Sequence, residues 1–423
     1  VSRPRRVALV LGGLLVVLLF GVVVHDVCDG RQLRPPRLQL KAQVEGPLLA
    51  GAAIRALAVP LPATVAGYGI PRANARAVAF PVQARALVLE AGAVRVGLVS
   101  LDLLLGDAEL DTAIHEATAG LALTDTWVTV THTHSGPGGY ASNPIAQLAG
   151  TGLLRGATRE AVVSAAAGAL RDAYAARRPV SLRFAEGSVP ELVGAREPPQ
   201  DVDARLSRLV FEGEGGPVAQ LLIFACHPTL VPRPPSGLDP DWPGRLAEAE
   251  GDGVTLVLQG AVGNVSPALR EEAGGRLAHF VAQLASAADA LSPVPVPSLL
   301  GVARVSVELP GPDARRLVPR LLRPLTDNVL CAAAPAEASV ELLRVGPLVL
   351  LGVPGEPSAA AARVLEAAAG ASRTVSLVNG YLGYVETPGH LARGEGEAGR
   401  QLLGPGFLEA LAQGAHAARA ALP

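Results

Sequence analysis

Residues 131–140 read Thr-His-Thr-His-Ser-Gly-Pro-Gly-Gly-Tyr. They follow Asp125-Thr-Trp-Val-Thr-Val130, a β-branched run that predicts a buried strand. His132 and His134 stand two apart, so on an extended chain both imidazoles face one side. Gly136, Gly138 and Gly139 then let the backbone turn and come close to a ligand. Two imidazoles at a strand end, before a glycine turn, suit a metal ion. The competing reading is one solvent-facing histidine and one hydrogen-bonded core histidine, and the spacing alone leaves both open.

The elements that must position these residues show one pattern three times. In the first, Ala84–Glu90 and Val94–Leu101 read as a hairpin ending at Asp102, followed by a helical segment from Asp107 to Leu121 and the strand into His132. In the second, Leu206–Glu212 and Val218–Ala225 end at His227; a short helical segment, Gly244–Ala249, precedes a strand, Val254–Leu258, that runs into Gly263-Asn-Val-Ser266. In the third, Ser339–Arg344 and Leu348–Gly352 end at Glu356, and a helix, Ser358–Ala369, leads to a strand, Thr374–Val378, then Tyr381 and Tyr384. Longer Ala/Leu-rich helices are predicted at Arg159–Arg177, Ala268–Leu291 and Gly399–Ala421. The expected fold is α/β, with mixed β-sheets flanked by helices in α/β/β/α layers, as one domain over 48–423. Asp102, His132, His134, His227, Ser266, Glu356 and Tyr384 all fall at strand ends, where α/β sites assemble.

Zinc accepts imidazole nitrogen and carboxylate oxygen, and a catalytic zinc keeps a position for water. His132, His227 and Glu356 would form such a set from three separate strand ends. Two other His-x-His patterns fit less well. Metallo-β-lactamases want Asp two residues after the second His, where Gly136 stands. Barrel amidohydrolases often use a carbamylated lysine, and the sole lysine is Lys41.

Apolar residues make up 49% and aromatics only 3%, so the core must be Leu, Val and Ala, as in strands buried on both faces. Net charge is −2 and no basic run lies beyond the N-terminus, which argues against a nucleic-acid partner. Cys28, Cys226 and Cys331 form no spaced motif, and no structural disulfide is expected. Arg3, Arg5 and Arg6 precede an apolar run from Val7 to Val24. We read residues 1–6 as a cytoplasmic basic segment, 7–24 as an uncleaved transmembrane signal anchor, with a cleaved signal peptide as the rival although no small-x-small site follows the run, and 25–47 as a tether. That places the domain outside a bacterial cell membrane, on a single pass.

Thr131–Tyr140 resembles the signature of the neutral, non-lysosomal ceramidases. Gly67-Tyr-Gly-Ile-Pro71, Ala84-Arg-Ala-Leu-Val88, Ser100-Leu-Asp102, Phe224-Ala-Cys-His227, Gly263-Asn-Val-Ser-Pro267, Val353-Pro-Gly-Glu356 and Asn379-Gly-Tyr-Leu-Gly-Tyr384 resemble further blocks of that family in the same order. The likeness spans about 48–410. It implies zinc ligands at His132, His227, Glu356 and Tyr384, with Tyr384 also able to donate to an oxyanion. It implies a proton-transfer or substrate-orienting His134, a site serine at Ser266 and a substrate-contacting Arg196. For Ser266 a turn role at a strand-to-helix junction stays open, Ser-Pro being a good helix start. The implied activity is zinc-dependent hydrolysis of a linear amide, with ceramide or another N-acyl lipid as substrate and the membrane as partner. A zinc amidase or esterase on a non-sphingolipid, and a non-catalytic envelope protein, are the alternatives.

Three departures stand out. No second, immunoglobulin-like domain is expected. Glu395-Gly-Glu397 stands where those enzymes have Gln-x-Tyr-Glu, so a substrate-contacting tyrosine is missing. Pro228-Thr-Leu-Val-Pro232 replaces their Thr-Ser-Met-Asn-Asn.

Overall fold

Period-2 alternation and unbroken apolar runs build two sheets in the computed structural model, which describes residues 12–13, 33–68, 72–197, 200–251, 253–268, 275–313, 318 and 323–422. In spatial order the larger sheet runs Val254–Gln259, Gly216–Phe224, Arg205–Gly213, Arg178–Ser188, Leu48–Ala56, Gln83–Ala91, Val94–Leu101 and Asp125–Val130, with Val294–Val296 paired along Arg178–Ser188. The smaller runs Arg37–Glu45, Leu299–Glu308, Glu337–Val345, Leu348–Gly352 and Arg373–Val375.

The sheets bury one face against each other. Leu87, Leu89, Val96, Trp127 and Phe211 of the larger meet Leu300, Val302, Leu343, Val345 and Leu350 of the smaller. Each such side chain contributes about 1.5–3 kcal/mol by leaving water. Gly156–Ala175 and Ala108–Thr118 cover one end of the larger sheet's outer face, and Asp241–Ala249 and Arg276–Ala290 the other. Ala359–Ala369 and Phe407–Ala421 cover the smaller sheet. The layering is therefore α/β/β/α, with strands buried on both faces, which is why Leu, Val and Ala suffice for the core.

Val94–Leu101, Gly216–Phe224 and Leu348–Gly352 each close an antiparallel hairpin. Each is also paired in parallel with the strand that follows its helix, namely Asp125–Val130, Val254–Gln259 and Arg373–Val375. The C-terminal ends of these parallel pairs carry His132, His227 and Glu356 into one region.

Several expectations need correction. The segment read as a tether holds the nine-residue strand Arg37–Glu45, antiparallel to Leu299–Glu308. Its Leu40, Ala42 and Val44 pack on the inter-sheet core, an alternation masked by the neighbouring Pro35-Pro36. Cys331 is disulfide-bonded, whereas Cys226 is free and buried; spacing alone could not show the pairing. The strand predicted to Val378 stops at Val375, because Leu377 turns left-handed (φ +62°). Ser266-Pro267 is no helix start: Val265–Pro267 pairs with Val193–Ala195, and the described helix begins at Arg276. The last helix begins at Phe407 rather than Gly399, after a 3₁₀ turn at Gly396–Gly399. The basic segment 1–6 and the anchor 7–24 lie outside the described residues apart from Gly12 and Gly13, as do Gly69–Pro71. Among the described residues no helix is long and apolar enough to cross a membrane.

Candidate metal centre

The strand into the first histidine ends at Val130. His132 then takes a left-handed conformation, φ +67°, which costs a non-glycine residue about 1–3 kcal/mol. The two histidines thus converge through a turn, not through alternation along an extended strand as the spacing suggested. Their rings are 5.0 Å apart, and the His132 and His227 rings 4.8 Å apart. His227 follows the strand Gly216–Phe224 and is fixed by its own amide, which donates to Val265 O at 3.1 Å. Glu356 and Tyr384 form a parallel bridge, so the last two blocks of the sequence arrive side by side.

All three imidazoles are oriented the same way. Nδ1 of His132, His134 and His227 lies 2.6, 3.0 and 2.9 Å from the carbonyls of Leu104, Gly67 and Val265. A carbonyl only accepts, so each Nδ1 carries the proton and each Nε2 keeps its lone pair. Gly67 (φ +107°) has to be glycine, since a Cβ there would sit 2.6 Å from His134 Cα. Burial pushes the His227 imidazole down to about 4, and burial with the neighbouring imidazoles pushes His134 well below its ordinary value. Both are neutral at pH 7. Burial alone would raise Glu356, but the imidazoles of His132 and His227 outweigh it and hold the carboxyl well below its usual range.

Glu356 Oε2 lies 3.3 Å from His132 Nε2 and 3.2 Å from His227 Nε2, and the Tyr384 hydroxyl lies 3.4 Å from His227 Nε2. Across the first two gaps an unprotonated imidazole nitrogen presents its lone pair to a carboxylate oxygen. The Nε2 atoms of His132 and His134 and Oε2 of Glu356 are buried without any hydrogen-bond partner. A cation held among them would satisfy all three atoms. The separations also match the edge of about 3.3 Å for a tetrahedron with ligand bonds near 2.0–2.1 Å. A metal ion therefore fits among His132, His227 and Glu356, with the Tyr384 hydroxyl beside them. His134 belongs to the same cluster, since the three histidines offer ligand atoms within 4.8 Å of one another.

Tyr381, given no role in the sequence reading, donates to Glu356 Oε1 at 2.6 Å and leaves Oε2 for the centre. Burial and Glu356 push its hydroxyl well above the ordinary value, so it stays a donor. The only signal for it was its place three residues before Tyr384 in the same block. Tyr381→Phe is expected to weaken zinc affinity about 10–100-fold, read by competition with a chromophoric chelator. Unchanged affinity would remove Tyr381 from the support of Glu356.

Arg196 donates from Nη1 to the Tyr384 hydroxyl at 2.9 Å and from Nε to Ser266 Oγ at 3.3 Å. Burial and Glu356 push the Tyr384 hydroxyl up, and Arg196 opposes them. Glu397, also unassigned from sequence, sits 3.7 Å from the Arg196 guanidinium and pairs with Arg400. Arg196 and Ser266 thus border the centre. Asp102 does not: it is fully buried and paired with Arg85 at 2.9 Å.

Residues 59–232 match the family model described as neutral/alkaline non-lysosomal ceramidase, N-terminal. No curated protein sequence matches the chain. Among solved structures, neutral ceramidase from Pseudomonas aeruginosa is similar at 20% identity and a TM-score of 0.73, over 89% of this chain and 75% of that one. A structure titled ceramidase complexed with C2 is similar at 19% identity and a TM-score of 0.74, over 89% and 76%. At such identities these two show a shared fold. The family resemblance carried by the motifs is thus borne out over residues 59–232, which are similar to the N-terminal region of the neutral/alkaline non-lysosomal ceramidases.

Proposed function

We propose that the chain is a zinc-dependent hydrolase that cleaves the amide bond of ceramide or a related N-acyl lipid, anchored by residues 7–24 at the outer face of a cell membrane. One observation carries the metal reading: three imidazoles converge within 4.8 Å, with His132 Nε2, His134 Nε2 and Glu356 Oε2 buried and unpartnered among the described residues. A zinc ion held by His132, His227 and Glu356, with Tyr384 beside it, would keep a position for water and supply a Lewis acid and an activated water.

The chain's own residues do the rest. His134, its ring fixed by the Gly67 carbonyl, keeps a free Nε2 beside the cluster. It takes a proton from the attacking water and returns it to the leaving amine. The Tyr384 hydroxyl accepts from Arg196, so its own proton is free to meet the negative charge growing on the acyl oxygen. Ser266 accepts from Arg196 and, among the described residues, has no base in contact, so its part is to hold the guanidinium in place.

The matched family and a ceramidase structure named for its C2 complex favour a lipid amide. Leu61, Leu148, Leu153 and Leu154 are exposed at the rim that also holds Gly67, an apolar border suited to acyl chains. A disulfide at Cys331 suits an oxidising, extracytoplasmic compartment. A second reading, an amidase on a non-sphingolipid, is favoured by Gly396. Its backbone is left-handed (φ +58°), and a Cβ there would lie 2.6 Å from Gln200 Nε2 and 2.7 Å from Glu386 Oε2, so the family's tyrosine would be strained at this position.

Purified full-length protein is expected to hold about one zinc per chain and to hydrolyse short-chain N-acyl sphingosine. Chelation is expected to abolish turnover and added zinc to restore it. Turnover that survives complete metal removal overturns the mechanism. Bound zinc without turnover of any amide favours a non-catalytic envelope protein.

A further inference from the structure

The stretch after His227, one of the departures from the family pattern, continues Pro228-Thr-Leu-Val-Pro-Arg-Pro-Pro-Ser-Gly237. It is pinned at both ends. Leu230 and Val231 are buried, and their amides donate to Asp241 Oδ2 at 2.9 Å each. At the other end the Leu238 amide donates to Ala77 O at 3.0 Å. Between these anchors Pro232, Arg233, Pro234 and Ser236 are exposed. Three prolines in four residues fix backbone φ, so Arg233 is presented by a stiff loop.

The Arg233 guanidinium carbon lies 3.4 Å above the centre of the Tyr68 ring. That ring lies 5.4 Å from the His134 ring, which faces His132 and His227 at 5.0 and 5.9 Å. Arg233, Tyr68 and His134 therefore form a row from solvent to the metal centre. Stacking engages the flat face of a guanidinium and leaves its N–H donors in the plane, directed at the edge. Among the described residues no carboxylate pairs with Arg233. Arg245, stacked in the same way on Phe80, is neutralised by Asp239 at 2.6 Å. An arginine held ready beside a reaction centre, with its charge unanswered, lacks only an anion.

We infer that Arg233 is a specificity residue for a carboxylate, sulfate or phosphate carried by the substrate near its scissile bond. The inference rests on the hydrolase reading and narrows it. The preferred substrate is an acidic N-acyl compound rather than a neutral ceramide. Because the guanidinium is already ordered on Tyr68, binding the anion costs little further side-chain entropy.

The test uses the full-length, zinc-loaded protein and two soluble substrates with one acyl chain. One is an N-acyl amino alcohol; the other is the N-acyl amino acid of the same skeleton. The wild type is expected to favour the acid by about tenfold or more in kcat/KM, the worth of one charge-assisted hydrogen bond. Arg233→Gln is expected to erase that preference while leaving the alcohol within about twofold, and Arg233→Lys to recover part of it. Absence of preference in the wild type, or an equal loss on both substrates in Arg233→Gln, overturns the assignment while leaving the hydrolase intact. Turnover of neither substrate by the wild type overturns both. A further arm presents the alcohol in neutral and anionic phospholipid vesicles. If Arg233→Gln slows turnover on the anionic vesicles alone, the anion is a lipid headgroup of the surface, and the substrate assignment falls.

Discussion

His132→Ala is expected to lower kcat/KM by at least about 10⁴-fold and to yield protein without stoichiometric zinc. The size follows from what the imidazole does. Its Nε2 faces Glu356 Oε2 at 3.3 Å, and the Leu104 carbonyl holds its Nδ1. Without it the cation loses one nitrogen ligand. The buried carboxylate also loses one of the two imidazoles that hold it below its usual range, although Tyr381 still donates to its other oxygen. Position 132 is left-handed, so alanine there stays strained, and a folding defect could imitate a catalytic one. Glu356→Gln separates the two. It keeps the shape and an acceptor for Tyr381, and removes only the charge that balances the ion. Zinc content and kcat/KM are expected to fall together in both variants, while the Glu356→Gln protein retains a cooperative melt. Normal turnover by a zinc-free His132→Ala protein would sink the centre as the seat of hydrolysis.

The centre was legible because its ligands close local sequence runs. His132, His227 and Glu356 each stand just past a strand-length run, Asp125–Val130, Gly216–Phe224 and Leu348–Gly352. What could not be read is what acts through space. The carbonyls of Leu104, Gly67 and Val265 choose the imidazole tautomers, yet no side chain marks them. Tyr381 and Glu397 act through partners that the fold brings near, at Glu356 and Arg196. The left-handed turn at His132 was invisible for a different reason. It breaks the period on which the argument rested, and only the strength of the surrounding packing explains why it persists. The strand Arg37–Glu45 was missed the other way round. Its alternation was plain, but two prolines just before it argued for a linker.

Arg196→Ala is expected to reduce kcat by about 10²–10³-fold with a far smaller change in KM, whereas Ser266→Ala costs less than about tenfold. The contrast decides what the serine is for. A nucleophilic serine needs a neighbour that removes its proton. Ser266 Oγ instead receives a proton donor, Arg196 Nε at 3.3 Å, and a guanidinium does not act as a base. The same guanidinium reaches the Tyr384 hydroxyl at 2.9 Å, beside His227 Nε2, and is steadied from behind by Glu397 at 3.7 Å. Its positive charge thus lies where an acyl oxygen would gain negative charge, in a setting where water is largely excluded and such a contact is strong. The serine, in the pair Val265–Pro267 against Val193–Ala195, helps aim the guanidinium and little more. In a double-mutant cycle, Arg196→Ala with Ser266→Ala is expected to cost about what Arg196→Ala costs alone, because the serine works only through the arginine. A fall of 10⁵-fold or more for Ser266→Ala alone, with zinc retained and a covalent acyl-enzyme trapped from the wild type, would reverse the assignment and make the serine the nucleophile.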